Sequence, residues 1–84
     1  PEDLLEVKIN SRAFYDSLRR LIAIESFLKG KEKDHQEIML EIKKLLDEPL
    51  FSLLKENEEI PQESMQKIRA IMREKIQKIK ALIR

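Results

Sequence analysis

The sequence predicts an all-α fold, a small antiparallel helical bundle with three main helices and one short one. Three observations carry that expectation. Apolar residues recur at three- and four-residue steps along most of the chain, the spacing that puts them on one face of a helix. One glycine and three prolines leave few places for strand turns. Those few breakers also stand where helix ends are wanted, beside residues suited to capping.

Residues 4–9, Leu-Leu-Glu-Val-Lys-Ile, read two ways. Leu5, Val7 and Ile9 alternate with charges as a strand does. Leu4, Val7, Ser11, Phe14, Leu18 and Leu21 instead step along one long helix. No second strand is visible to pair with, so an N-terminal arm docked on a neighbour or a helix extension is expected here. A firmer helix spans Asn10 or Ser11 to Lys29. Asn10 is placed to cap it, with Ile9 and Phe14 at staple positions, and Gly30 supplies a left-handed C-cap. Its apolar side comprises Phe14, Tyr15, Leu18, Leu21, Ile22 and Leu28. Phe27 points the other way, as a second contact or an exposed aromatic.

Asp34 followed by Glu37 makes a variant capping box for the next helix, which carries Ile38, Ile42, Leu45 and Leu46. Pro49 ends or kinks that helix at Glu48. Leu50-Phe51-Ser52-Leu53-Leu54 is too short to stand alone and must pack on its longer neighbours. Asn57-Glu58-Glu59 forms a turn, and Pro61 suits the first position of a final helix running to about Arg84. Met65, Ile68, Met72, Ile76, Ile79 and Ile83 repeat along it at the helical period.

The 84 residues are enough for one domain, 1–84. At this size a core is marginal unless something supplements it, and the chain has no cysteine for a disulfide. No His/Cys cluster offers a structural metal site, so association is the remaining supplement. A hydrophobic share of 42% with a net charge of only +1 favours folding over disorder. No apolar run approaches the ~18–20 residues that cross a bilayer. The acidic start, Pro1-Glu2-Asp3, does not resemble a signal peptide. The expected compartment is therefore the cytoplasm. Abundant Lys, Glu and Ile without Cys or Trp is shared by hyperthermophile proteins and products of AT-rich genomes.

Catalytic chemistry is poorly provisioned. His35, the single histidine, falls in a helix's first turn among Asp34, Gln36 and Glu37 and reads as a surface residue. Glu37 and Glu41 share a helix face, where carboxylates are usually solvated. There is no metal-binding His motif, no glycine-rich phosphate loop and no nucleophile–base set. The expectation is a non-enzymatic protein without catalytic residues, cofactor, metal or small-molecule substrate.

Charge is unevenly placed. Residues 61–84 hold seven basic and two acidic side chains, whereas the preceding sixty hold ten and fourteen. Arg69, Arg73, Lys80 and Arg84 fall on one flank of the last helix, with Gln62, Gln66 and Gln77 along the same strip. Such a strip either complements the acidic helices of its own bundle or grips phosphates or an acidic partner. Glu25 and Lys75 each project into the apolar side of their helix. They either snorkel at the core edge or meet a partner charge and fix helix register.

Two functional readings follow. The first is an adaptor or accessory subunit acting through protein–protein contact, with a protein partner or a second copy. Its expected interface is Leu4, Leu5, Val7, Ile9 and Phe27. The second is a nucleic-acid-binding helical protein using the basic last helix. Near-neutral overall charge and few aromatics count against it.

Overall fold

The computed structural model describes residues 11–83, and these form the expected all-helical bundle. The elements are α1 (Ser11–Leu28), α2 (His35–Leu45), α3 (Glu48–Lys55) and α4 (Gln62–Ile83). Three are long and one is short.

The sequence signals at the helix ends do their expected work. Gly30 adopts φ +76°, and the amide of Lys31 donates to the Ser26 carbonyl while that of Gly30 donates to Phe27. This pair of bonds is a Schellman closure, which needs a left-handed residue just past the helix. Asp34 and Glu37 form the reciprocal capping box at the start of α2. The Pro49 expectation needs one correction. Leu46, in extended conformation, already caps α2, so Pro49 neither ends nor kinks that helix. It stands in the first turn of α3, where a missing N–H costs nothing, and the Asp47 carboxylate accepts from the Leu50 amide at 2.9 Å.

Asn57 does more than turn the chain. It takes the left-handed conformation, φ 59°, and closes α3 with the same pair of bonds that Gly30 provides for α1. Its carboxamide oxygen then reaches the other end of the protein's first helix. It accepts from the Ser11 hydroxyl at 3.0 Å and from the Arg12 amide at 3.1 Å. Asn57 thus caps α1 from outside it, while Asn10, the expected cap, lies outside the described residues. Pro61 stands one position before α4, and its carbonyl accepts from the Met65 amide.

Helix α1 is the hub, packing against each of the other three helices. Phe14, Tyr15, Leu18 and Ile22 meet Ile38, Ile42, Leu46, Leu50, Phe51, Leu54, Ile60 and Ile68 in one core. Asn57, just ahead of α4, lies at the start of α1, and Glu25 meets Lys75 farther along. The first and third long helices therefore run side by side in the same sense. The molecule is flat, 38 × 30 × 15 Å. That thickness fits two layers of helices packed about 10 Å apart, α1 and α4 above, α2 and α3 beneath.

Burial corrects the sequence reading at four positions. Ile76, Ile83 and Leu28, all assigned to the apolar inward faces, are exposed, Ile76 at 37%. Ile60, given no role above, is buried in the core beside the start of α4.

Candidate functional site

Two features stand out from an ordinary helical core, a buried chain of charges and an exposed apolar surface. Glu25 and Lys75 do meet, and both are nearly fully buried, 4% and 7% exposed. The Lys75 ammonium donates to Glu25 Oε1 at 2.6 Å and to Glu41 Oε2 at 2.7 Å. Lys29 flanks Glu25 at 3.4 Å, and Lys33 donates to the other oxygen of Glu41. Cation and anion alternate along the chain Lys29, Glu25, Lys75, Glu41, Lys33. It ties α1, α2, α4 and the α1–α2 connection together. Glu41, expected to face solvent, is instead drawn under the bundle because α2 delivers it beside Lys75.

Burial by itself pushes the Glu25 and Glu41 carboxyls up, but the adjacent ammoniums outweigh it and hold both below the usual carboxylate value. Burial likewise disfavours the Lys75 ammonium, and its two carboxylate partners outweigh that and hold it above the ordinary lysine value. All three groups are therefore charged at neutral pH. An ion pair of this burial adds little net stability over an apolar replacement, yet it penalises any other register. Its role is to lock α1 against α4.

The exposed surface takes in one residue that the sequence singled out. Phe27 is 65% exposed and lines a shallow apolar groove of about 360 Å³ with Ala23, Ile24 and Leu28. Leu4, Leu5, Val7 and Ile9, the rest of the expected interface, lie outside the described residues. Sequence reading gave no role to Ile24, which is 46% exposed, and placed Ile83, 66% exposed, on the apolar face of the last helix, with Leu82 also outside the core. The helical period could have found Ile24, since it sits three residues before Phe27 on the outward side of α1. Leu40 is a separate exposed apolar residue on the lower layer, in a depression with Met39 and Phe51.

Arg69, Arg73 and Lys80 are exposed on α4 together with Gln62, Gln66 and Gln77. Arg84 lies outside the described residues. Among the described residues no carboxylate comes within ion-pair distance of Arg69, Arg73 or Lys80. His35 is exposed, beside a depression lined by Arg12, Tyr15, Asp16 and Arg19. Among the described residues no group of three His, Cys, Asp or Glu side chains is placed to hold a metal ion. Nor is any helix there long and apolar enough to cross a membrane.

Comparison with protein-family models, with curated proteins and with solved structures finds no match.

Proposed function

We propose that this chain is a non-enzymatic helical interaction module, an adaptor or accessory subunit that joins a larger assembly through protein–protein contact. The observation that supports it is the apolar groove around Phe27. A phenylalanine two-thirds exposed, contiguous with Ile24 and Leu28, is surface that a small protein normally covers. The buried charge chain supports the same reading, since its Lys33–Glu41 contact holds the α1–α2 connection that borders this groove. The cysteine-free composition suits a reducing compartment, and the cytoplasm is the place of work that goes with it.

The test is photo-crosslinking in native extract. A benzophenone amino acid placed at position 27 should capture one defined protein, another copy included. The same group at position 44, exposed on α2, should not. Capture of nothing from any exposed position, by a chain that also sizes as a monomer, would refute the proposal.

A second reading, nucleic-acid binding, draws on one observation, the exposed Arg69–Arg73–Lys80 strip with no ion-pair partner among the described residues. Retention on duplex DNA that falls steeply with added salt would favour it. No retention at low salt would retire it.

A further inference from the structure

The apolar groove adjoins, through Ile24 and Leu28, the outer face that carries the basic strip. On α1, the flank bearing Tyr15 and Arg19 turns toward α2 and α3, where His35, Met39 and Leu54 lie opposite. On α4, the flank bearing Ile71, Lys75 and Lys78 turns toward Leu45 of α2. Each residue advances about 100° around a helix. The opposite flanks, Leu21, Ile24 and Leu28 on α1 with Met72, Ile76 and Ile83 on α4, therefore both point away from the lower layer. Since α1 and α4 run in the same sense, these two apolar stripes lie on the same outer side and border one trough. Leu21 and Met72 are half-buried at its floor, and Ile24 and Ile83 stand exposed along its sides.

Along α4 the rim of that trough carries one sign of charge, while Glu32 and Lys33 border its end beside Ile24 and Leu28. Arg69, Arg73 and Lys80 follow along α4, and Arg20 lies on the far side of α1, all exposed. The carboxylates of the two helices are engaged or turned elsewhere. Glu25 is taken by Lys75, Asp16 by Arg12 and Arg19, and Glu74 by Lys78. The period places Glu63 on the lower side of α4.

We infer that the outer face of the α1–α4 layer docks an acidic amphipathic helix of another protein. The inference rests on the proposed interaction role and names the partner's chemistry. Two helices running side by side leave a trough suited to the apolar ridge of a third. Between Leu21 and Leu28 both helices border the trough for about 10 Å at 1.5 Å per residue, two turns of a docked helix, and α4 continues past the end of α1 to Ile83. Apolar anchors at i, i+3 or i+4, and i+7 fill it, and Asp or Glu on the flanks meet the unpaired Arg and Lys. A second copy fits poorly, because it brings the same basic rim against this one. A nucleic acid gains nothing from an aliphatic floor without a ring to stack on. A flat anionic membrane matches the charge but does not reach Leu21 and Met72.

The test uses the full chain and a fluorescein-labelled designed helix of twenty residues, with leucines at i, i+3, i+7 and i+10 and glutamates on both flanks. An otherwise identical peptide carries lysines in place of the glutamates. The glutamate peptide should bind and shift the amide resonances of Ile24, Ile76 and their neighbours, and the lysine peptide should not bind. R69Q/R73Q/K80Q should weaken binding about tenfold or more, the scale of losing several rim charge contacts. K31Q/K44Q/K55Q, the same charge change elsewhere on the surface, should leave it unchanged. Ile24→Lys should abolish binding while the circular dichroism spectrum stays helical. Equal binding of both peptides, or shifts confined to α2 and α3, would overturn the inference. So would binding of phosphatidylserine vesicles, of duplex DNA or of a second copy at these residues in place of the glutamate peptide. If the peptide fails while crosslinking at position 27 still captures a protein, the interaction role stands and this partner chemistry falls. If both fail, both fall.

Discussion

Replacing Lys75 by Met tests the buried charge chain directly. The substitution keeps an unbranched side chain of similar reach but removes the ammonium that Glu25 and Glu41 share at 2.6 and 2.7 Å. Taking one partner from a buried ion pair costs about 3–5 kcal/mol, because the other charge stays buried and uncompensated. Lys29 and Lys33 remain to neutralise part of it, and the Glu41 side chain retains 20% exposure. We therefore expect a loss of about 2–4 kcal/mol at pH 7, or roughly 10–30 °C in melting temperature for a domain this size. Urea unfolding followed by circular dichroism measures it. Replacing all three groups together, E25L/E41L/K75M, should return stability to within about 1 kcal/mol of the starting protein or above it. The pH dependence gives an internal control. The folded-state values of Glu25 and Glu41 lie below the ordinary 4.5, so the stability they contribute is present above about pH 4.5. It is lost as pH falls through those lower values. Lys75 lies above the ordinary 10.5, so its share is complete below that pH and lost only as pH rises past its folded value. The penalty for Lys75→Met should thus shrink toward pH 3, where the carboxylates it strands become protonated. A loss below about 0.5 kcal/mol at pH 7, or a penalty unchanged at pH 3, would refute the reasoning.

Other substitutions separate the core from the open face and the local caps from the remote one. Leu18→Ala, at a fully buried position, should cost about 2–5 kcal/mol in the same unfolding assay. Ile76→Ala should cost less than about 1 kcal/mol, since its side chain already stands at the surface. Equal losses would show that the two faces of α4 are assigned wrongly. Asn57→Gly should cost about 0.5–2 kcal/mol by removing the cap from α1 while keeping the left-handed backbone. Asn57→Ala should cost about 1 kcal/mol more, the strain of that conformation with a Cβ. An alanine variant as stable as the glycine variant would count against the strain.

The fold was legible in the sequence because its signals are local. Gly30, the Asp34–Glu37 pair and the apolar spacing of each helix act within a few residues, and their outcomes follow from spacing alone. What was not legible depends on which helix lies beside which. Nothing near Asn57 says that its side chain will reach Ser11, and nothing near Glu41 says that Lys75 will draw it inward. Ile76 and Leu28 have the period of core residues, yet among the described residues no third helix covers that side of the α1–α4 layer. Glu25 and Lys75 lie between, since their misplacement on apolar faces was visible before their partners were. The expected interface residues at 4–9 lie outside the described residues, so of that set only Phe27 is placed, exposed in the groove beside the α1–α2 connection.

The span of the Glu25–Lys75 contact bears on how the protein reaches its native state. The two residues are 50 apart in the chain, so bringing them together closes the longest loop of any described side-chain hydrogen bond. Helix α1 can close at Gly30 and α2 can start at Asp34 without leaving their own neighbourhood. Loop-closure entropy must be met before α4 contributes any contact to α1. The ammonium and carboxylates also shed their water only once α4 has docked. The charge chain therefore belongs on the native side of the folding barrier. Stopped-flow measurements should show that Lys75→Met leaves the refolding rate nearly unchanged and accelerates unfolding by most of the stability it removes. In that case the charge chain governs how long the assembled face persists, and not how quickly the protein first acquires it.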